Sequence, residues 1–245
     1  MTKQSPVISI AGLTHSYGNN VVLKNLNLDI PEGEIFGFLG HNGAGKTTTI
    51  SALTTLLRQT GGTIFIDGFD TMLEGAAVRD RIGYLPENVT FYNDLTAFEN
   101  LMYFGKLSGV QNIEKKIDDV LGFLDFRGIE NKRLKTFSKG MRQRIGIAQA
   151  ILHEPRVLFL DEPTSGLDPV GIKNLRDIIL RLNREKGMTI FMNTHLLSEV
   201  AKTCTSIGVL NKGRLIYHGS LDKTLQNFPD EVSLESIYMK MEDDI

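Results

Sequence analysis

The run Gly40-His41-Asn42-Gly43-Ala44-Gly45-Lys46-Thr47-Thr48 fits the spacing G-x-x-x-x-G-K-[ST], which suits a backbone loop wrapped around phosphate. Gly40, Gly43 and Gly45 let the main chain curl close to phosphate oxygens without Cβ clashes. Asn42 and Thr48 belong to the same run. Lys46 would reach the β- and γ-phosphates, and the Thr47 hydroxyl would bind Mg²⁺. The bland alternative is a glycine turn that merely caps a helix. Against it, apolar residues 35–39 read as a strand entering the loop and residues 47–57 as a helix leaving it. Phosphate binding at a helix N-terminus needs that setting. The sequence therefore predicts a bound nucleoside triphosphate.

A second cluster is Val157-Leu158-Phe159-Leu160-Asp161-Glu162. Four apolar residues make a short strand of the kind buried in a parallel sheet. Two carboxylates emerge at its C-terminal end, where open α/β sheets place their ligands. Asp161 suits Mg²⁺ held through water, and Glu162 suits a general base that orients and deprotonates the attacking water. Alone, an acidic turn before Pro163 explains the pair equally well; beside the phosphate loop the catalytic reading dominates.

Periodicity outlines the elements that must position these groups. Residues 7–10 and 21–30 read as strands joined by Gly18-Asn19-Asn20, and 61–68 as another short strand; together they suggest a small antiparallel layer. Residues 97–107, 113–124 and 139–152 carry helical apolar spacing, the last stopped by Glu154-Pro155. Residues 170–184 form an amphipathic helix ending near Gly187, and 189–192 a strand leading to His195. Cys204 reads as a small core residue beside a helix at 198–202. Residues 207–210 and 214–217 pair as a hairpin about Asn211-Lys212-Gly213. The tail, 221–245, reads as helical, with Met239 and Met241 as its apolar packing. Alternating strand and helix predict an α/β fold with a parallel sheet. A single domain is expected: a nucleotide-binding core with its β layer (1–87 and 153–220), an inserted α-helical subdomain (88–152) and a helical tail (221–245).

In order along the chain, these motifs resemble the ATPase subunit of an ABC transporter. Phe137-Ser138-Lys139-Gly140-Met141-Arg142-Gln143-Arg144 is similar to that family's signature, usually L-S-G-G-Q followed by R-Q-R. Ser165-Gly166-Leu167-Asp168 resembles its D-loop and His195 its switch histidine. Glu87, in Gly83-Tyr84-Leu85-Pro86-Glu87, stands where the Q-loop has glutamine, and Tyr17 where an aromatic stacks on adenine. The resemblance implies a P-loop NTPase (RecA-like) core that hydrolyses ATP with Mg²⁺. On that reading Glu162, His195 and Lys46 are catalytic; Tyr17, Gly40, Asn42, Gly43, Gly45, Lys46, Thr47 and Thr48 bind ATP; Thr47, Glu87 and Asp161 serve the metal. A carboxylate at 87 still offers oxygen to Mg²⁺ or its waters. Ser138, Gly140 and Asp168 would act in trans, on nucleotide held by a second ATPase subunit of a homodimer or heterodimer. The physical basis is an anion site where a helix begins at Ser138, made by its hydroxyl, the Gly140 N–H and the helix dipole. Lys139, in place of the first signature glycine, either adds charge to that contact or points to solvent; Met141 replaces the glutamine. For Asp168 the cross-subunit contact ranks above a helix cap, although Asp168-Pro169 suits a helix start. His195 by itself would read as a structural histidine.

The resemblance further implies that the ATPase powers transport through separate transmembrane permease subunits, most like exporters of the ABC-2 type. Phe91 and Tyr92, after Glu87, are expected to line a groove for a short helix of such a subunit. The composition agrees: 27 basic against 29 acidic residues leave a formal charge of −2, which does not indicate a nucleic-acid surface. Lys132-Arg133-Leu134-Lys135 lacks interleaved aromatics and reads as a solvated face. With one cysteine there is no intrachain disulfide. No apolar run spans a bilayer and residues 1–6 lack a secretory signal, so the expected location is peripheral, on the cytoplasmic face of a membrane. The alternative is a soluble ABC ATPase acting on ribosomes or DNA, which would normally carry two ATPase modules or a long coiled-coil insertion. An unrelated P-loop GTPase or kinase would lack the signature and, for guanine, would need an N-K-x-D box; none is present.

Overall fold

The computed structural model describes residues 5–228 and 233–243. In chain order they form β1 (Ile8–Tyr17), β2 (Asn20–Ile30), β3 (Ile35–Leu39), α1 (Lys46–Leu53), β4 (Gly61–Ile66), β5 (Phe69–Asp70), α2 (Gly75–Arg81) and β6 (Ile82–Leu85). There follow α3 (Ala97–Leu107), α4 (Ile113–Phe123), a 3₁₀ turn at Leu134–Thr136 and α5 (Lys139–Ile151). Then come β7 (Val157–Asp161), α6 (Pro169–Lys186), β8 (Thr189–Asn193), α7 (Leu197–Thr203), β9 (Ser206–Asn211), β10 (Arg214–Ser220), α8 (Leu221–Asn227) and α9 (Leu234–Asp243).

Two sheets result. The larger has the order β10-β9-β3-β8-β7-β6, parallel except for the β9–β10 hairpin. The smaller, β2-β1-β4-β5, is antiparallel. Period-2 alternation along wholly apolar strands divides the interior into two cores. Phe36, Phe38, Phe159 and Phe191 face the antiparallel sheet with Ile50 and Leu53 of α1. Phe191 is central there, its ring 5.3 to 5.5 Å from the other three. Their neighbours Ile35, Leu39, Leu158, Leu160, Ile190 and Met192 point the other way, into a core with Leu101, Leu121, Ile145 and Leu175 of the helices. A short apolar strand is thus apolar at every position because both faces are covered.

Several elements depart from the sequence reading. Strand β1 continues to Tyr17 instead of stopping at residue 10, because irregular pairing between Ile10 and Ser16 absorbs the broken alternation. Helix α1 ends at Leu53, where Thr55 turns to φ +62°. Among the described residues the tail holds two helices, α8 and α9, with Phe228 and Ser233 non-helical. Leu234 and Ile237 anchor α9 in the core, but Met239 is exposed; the Met241 side chain lies outside the described residues. Phe91 is buried and so lines no groove. The cause is the fully buried Asn100, whose amide donates to the carbonyls of Tyr92 (3.1 Å) and Thr96 (2.9 Å) and accepts from the Tyr92 N–H (3.0 Å). That clamp turns Phe91 inward and Tyr92 outward, edge-on to Tyr103.

Candidate active site

Sheet order assembles the first site. Strand β8 lies between β3, which leads into the phosphate loop, and β7, which delivers the two carboxylates. All three are parallel, so their C-terminal ends open onto one crevice. Val22, Asn42, Gly43, Gly45, Lys46, Thr47, Thr48, Glu87, Asp161, Glu162 and Asn193 line a cavity of about 360 Å³ there. Gly45 holds φ +112°, and a Cβ on it would fall 2.8 Å from a methyl of Leu23; only glycine lets this turn close on β2. The Lys46 ammonium is buried and donates to the carbonyls of Gly40 and His41, the latter at 3.2 Å.

Asp161 and Asn193 are cross-strand partners, and the Asn193 amide donates to Asp161 Oδ1 at 2.6 Å. Burial pushes the Asp161 carboxyl above its ordinary range; the Asn193 bond and Lys46 pull against this, while Glu162 and Glu87 add to it. Glu162 sits at φ +46°, a left-handed conformation unusual outside glycine and asparagine. It is fixed there by its N–H donating to the Asn193 carbonyl at 2.9 Å. Such strained backbone gathers at functional sites. Glu162 Oε2 lies 2.8 Å from His195 Nδ1. The carboxylate is mostly buried and the imidazole half exposed; Glu162 lines the crevice, whereas His195 lines a smaller neighbouring cavity of about 170 Å³ with Gly40 and His41.

Ser138, Gly140 and Asp168 are not in this crevice. They line a second cavity of about 480 Å³ with Lys139, Leu167 and Val170. Ser138 caps α5, its Oγ accepting the Met141 N–H at 3.3 Å. An oxygen that accepts inward keeps its O–H for an outside acceptor. Asp168 does form the helix cap that the sequence ranked second: its Oδ1 accepts the Gly171 N–H at 3.0 Å at the start of α6.

The profile of the ABC transporter family matches residues 23–165. This chain belongs to the ABC transporter family. It is 41% identical over 226 residues, 92% of its length and 71% of the relative's, to the ABC transporter ATP-binding protein YhcH of Bacillus subtilis (strain 168). It is 42% identical over 86% of its length, and 69% of the relative's, to the bacitracin transport ATP-binding protein BcrA of Bacillus licheniformis. A solved ATP-binding subunit of an ABC transporter superposes with TM-score 0.86 at 29% identity, covering 96% of this chain and 99% of that one. The protein is therefore an ATP-binding ABC ATPase with the P-loop NTPase fold, of the class that powers transport.

Within the ABC ATPase, two of the expected ATP contacts do not line the 360 Å³ cavity: Gly40, whose carbonyl instead accepts from Lys46, and Tyr17. Tyr17 closes β1, half exposed and edge-on to His15 at 4.6 Å. Two lining residues escaped the sequence reading, Val22 and Asn193. Asn193 had a signal: a polar residue closing an otherwise apolar strand, level with Asp161 on the neighbouring one. Asp161, Glu87 and the Thr47 hydroxyl are oxygen donors of the kind a hard dication takes. Among the described residues no three His, Cys, Asp or Glu side chains converge as a metal cage, so a bound Mg²⁺ would need phosphate and water to complete its shell. Among the described residues no helix is long and apolar enough to cross a membrane.

Proposed function

We propose that this chain is the ATPase subunit of an exporter, working as one of a pair of ATPase subunits bound to separate transmembrane permeases on the cytoplasmic face. The observation that carries the reading is Glu162, held by His195 at 2.8 Å over the cavity of the phosphate loop. Lys46 exchanges the Gly40 and His41 carbonyls for the β- and γ-phosphate oxygens. Thr47, Asp161 and Glu87 would hold Mg²⁺, which when bound neutralises phosphate charge. Glu162 accepts the proton of the attacking water, and His195 fixes the carboxylate that receives it. Ser138 and Gly140 lie in a different cavity from Lys46, which supports their use on the nucleotide of the opposite subunit. A transport role like that named for the Bacillus licheniformis relative requires a membrane span, and partner chains supply it. Exposed Tyr92, Tyr103 and Leu107 offer those partners an aromatic landing surface after Glu87.

Glu162→Gln tests the reading. It keeps the shape and the contact to His195 but cannot take a proton. ATP binding should persist while turnover falls about 10²–10⁴-fold, the range of general-base catalysis. Hydrolysis at the parental rate would remove Glu162 from the reaction.

A further inference from the structure

We propose that Lys139 delivers a second cation to the triphosphate, across the interface between two copies of this chain. The inference rests on the composite-site reading above and extends it to a residue that departs from the usual signature. Lys139 lines the same cavity as Ser138 and Gly140. Its side chain lies across Gly166, where the chain turns at φ +67°: a Cβ there would meet Lys139 Nζ at 2.7 Å and Cδ at 3.5 Å. The ammonium therefore lies beside Gly166, which lines the same cavity.

Lys139 is exposed, and among the described residues no carboxylate pairs with it. Among the described residues the Lys139 side chain makes no hydrogen bond or ion pair. The carboxylate lining the cavity, Asp168, is engaged as the cap of α6. Arg144, the cavity's other cation, lies over the Phe126 ring at 5.3 Å. Lys139 is also the first residue of α5, where the helix dipole opposes positive charge. A lysine with no counter-ion, at the end of a helix that repels it, is matched by an anion arriving from outside. The Ser138 hydroxyl and Gly140 N–H beside it suit phosphate oxygens. The same contact places the ammonium against the 165–168 turn, whose Ser165 N–H donates to the Glu162 carbonyl, so phosphate capture and the base share one support.

The test uses the full chain carrying Glu162→Gln, with ATP-driven dimerisation followed by sedimentation at low and high salt. Adding Lys139→Met should raise the ATP concentration for half-dimerisation by about tenfold or more, the scale of one charge-assisted hydrogen bond. It should also flatten the salt dependence. Lys139→Arg should restore both, and the affinity of the monomer for ADP should not change. If Lys139→Met dimerises with the parent's ATP and salt dependence, Lys139 has no role on phosphate although the clamp stands. If the parent forms no dimer with ATP, the clamp and the Lys139 assignment fall together. Loss of ADP affinity in Lys139→Met would place its effect in the cis pocket and overturn the assignment.

Discussion

Asp161 is buried against its own charge: burial raises its pKa, and the nearby carboxylates of Glu162 and Glu87 reinforce the shift. A folded state that holds this proton more tightly than the unfolded chain must lose stability as the proton leaves. The penalty is absent below the ordinary aspartate range, about pH 3.9, and grows as pH rises through it towards the raised folded value. Asp161→Asn keeps the oxygen that accepts from Asn193 and removes the charge. The nucleotide-free variant should therefore melt above the parent at neutral pH, with the gap closing in acid. A lower midpoint at neutral pH, measured by calorimetry, would show that the carboxylate stabilises the fold. At this scale the sequence is legible where spacing dictates contact, as in the phosphate loop. The 2.8 Å approach of His195 to Glu162 was not readable as geometry. It joins residues 33 apart through strand order, which no local pattern encodes.

The elements divide in the same way. Strands β7 and β8 were legible because each is a short apolar run, and α5 because Ser138 marks its start. Strand β6 and helix α2 were missed: Ile82–Leu85 contains glycine and tyrosine, and only its pairing with β7 makes it a strand. Phe91 was misplaced for a related reason, since the clamp on its loop comes from Asn100, one helix turn into α3. Helix α6 yields a prediction of its own. Asp168 and Pro169 occupy N-cap and first turn, so Asp168→Ala should cost about 1 kcal/mol of stability and Asp168→Asn only a fraction of that. Urea unfolding of both variants reads the difference. Equal stability of parent and Ala variant would mean that the cap contributes nothing and that Asp168 is present for its other neighbours.

Over the whole molecule, the phosphate loop and the signature end of α5 open into separate cavities of about 360 and 480 Å³ with no lining residue in common. On the proposed pairing, two copies related by a two-fold axis would solve this, because each would offer its second cavity to the other's first. Complementation between broken chains tests that geometry. Lys46→Ala should lose the grip on its own nucleotide while keeping Ser138. Ser138→Ala should keep the nucleotide but fail to clamp a partner's. Neither variant should pair with itself. Mixed, they can build one complete site from the loop of one and the signature of the other. Tagged Lys46→Ala should therefore retain untagged Ser138→Ala in the presence of a non-hydrolysable ATP analogue and release it in ADP. Retention that ignores the nucleotide would point to pairing through some other face. No retention, while the unmutated chain pairs with the same analogue, would mean that one intact site does not hold two subunits together.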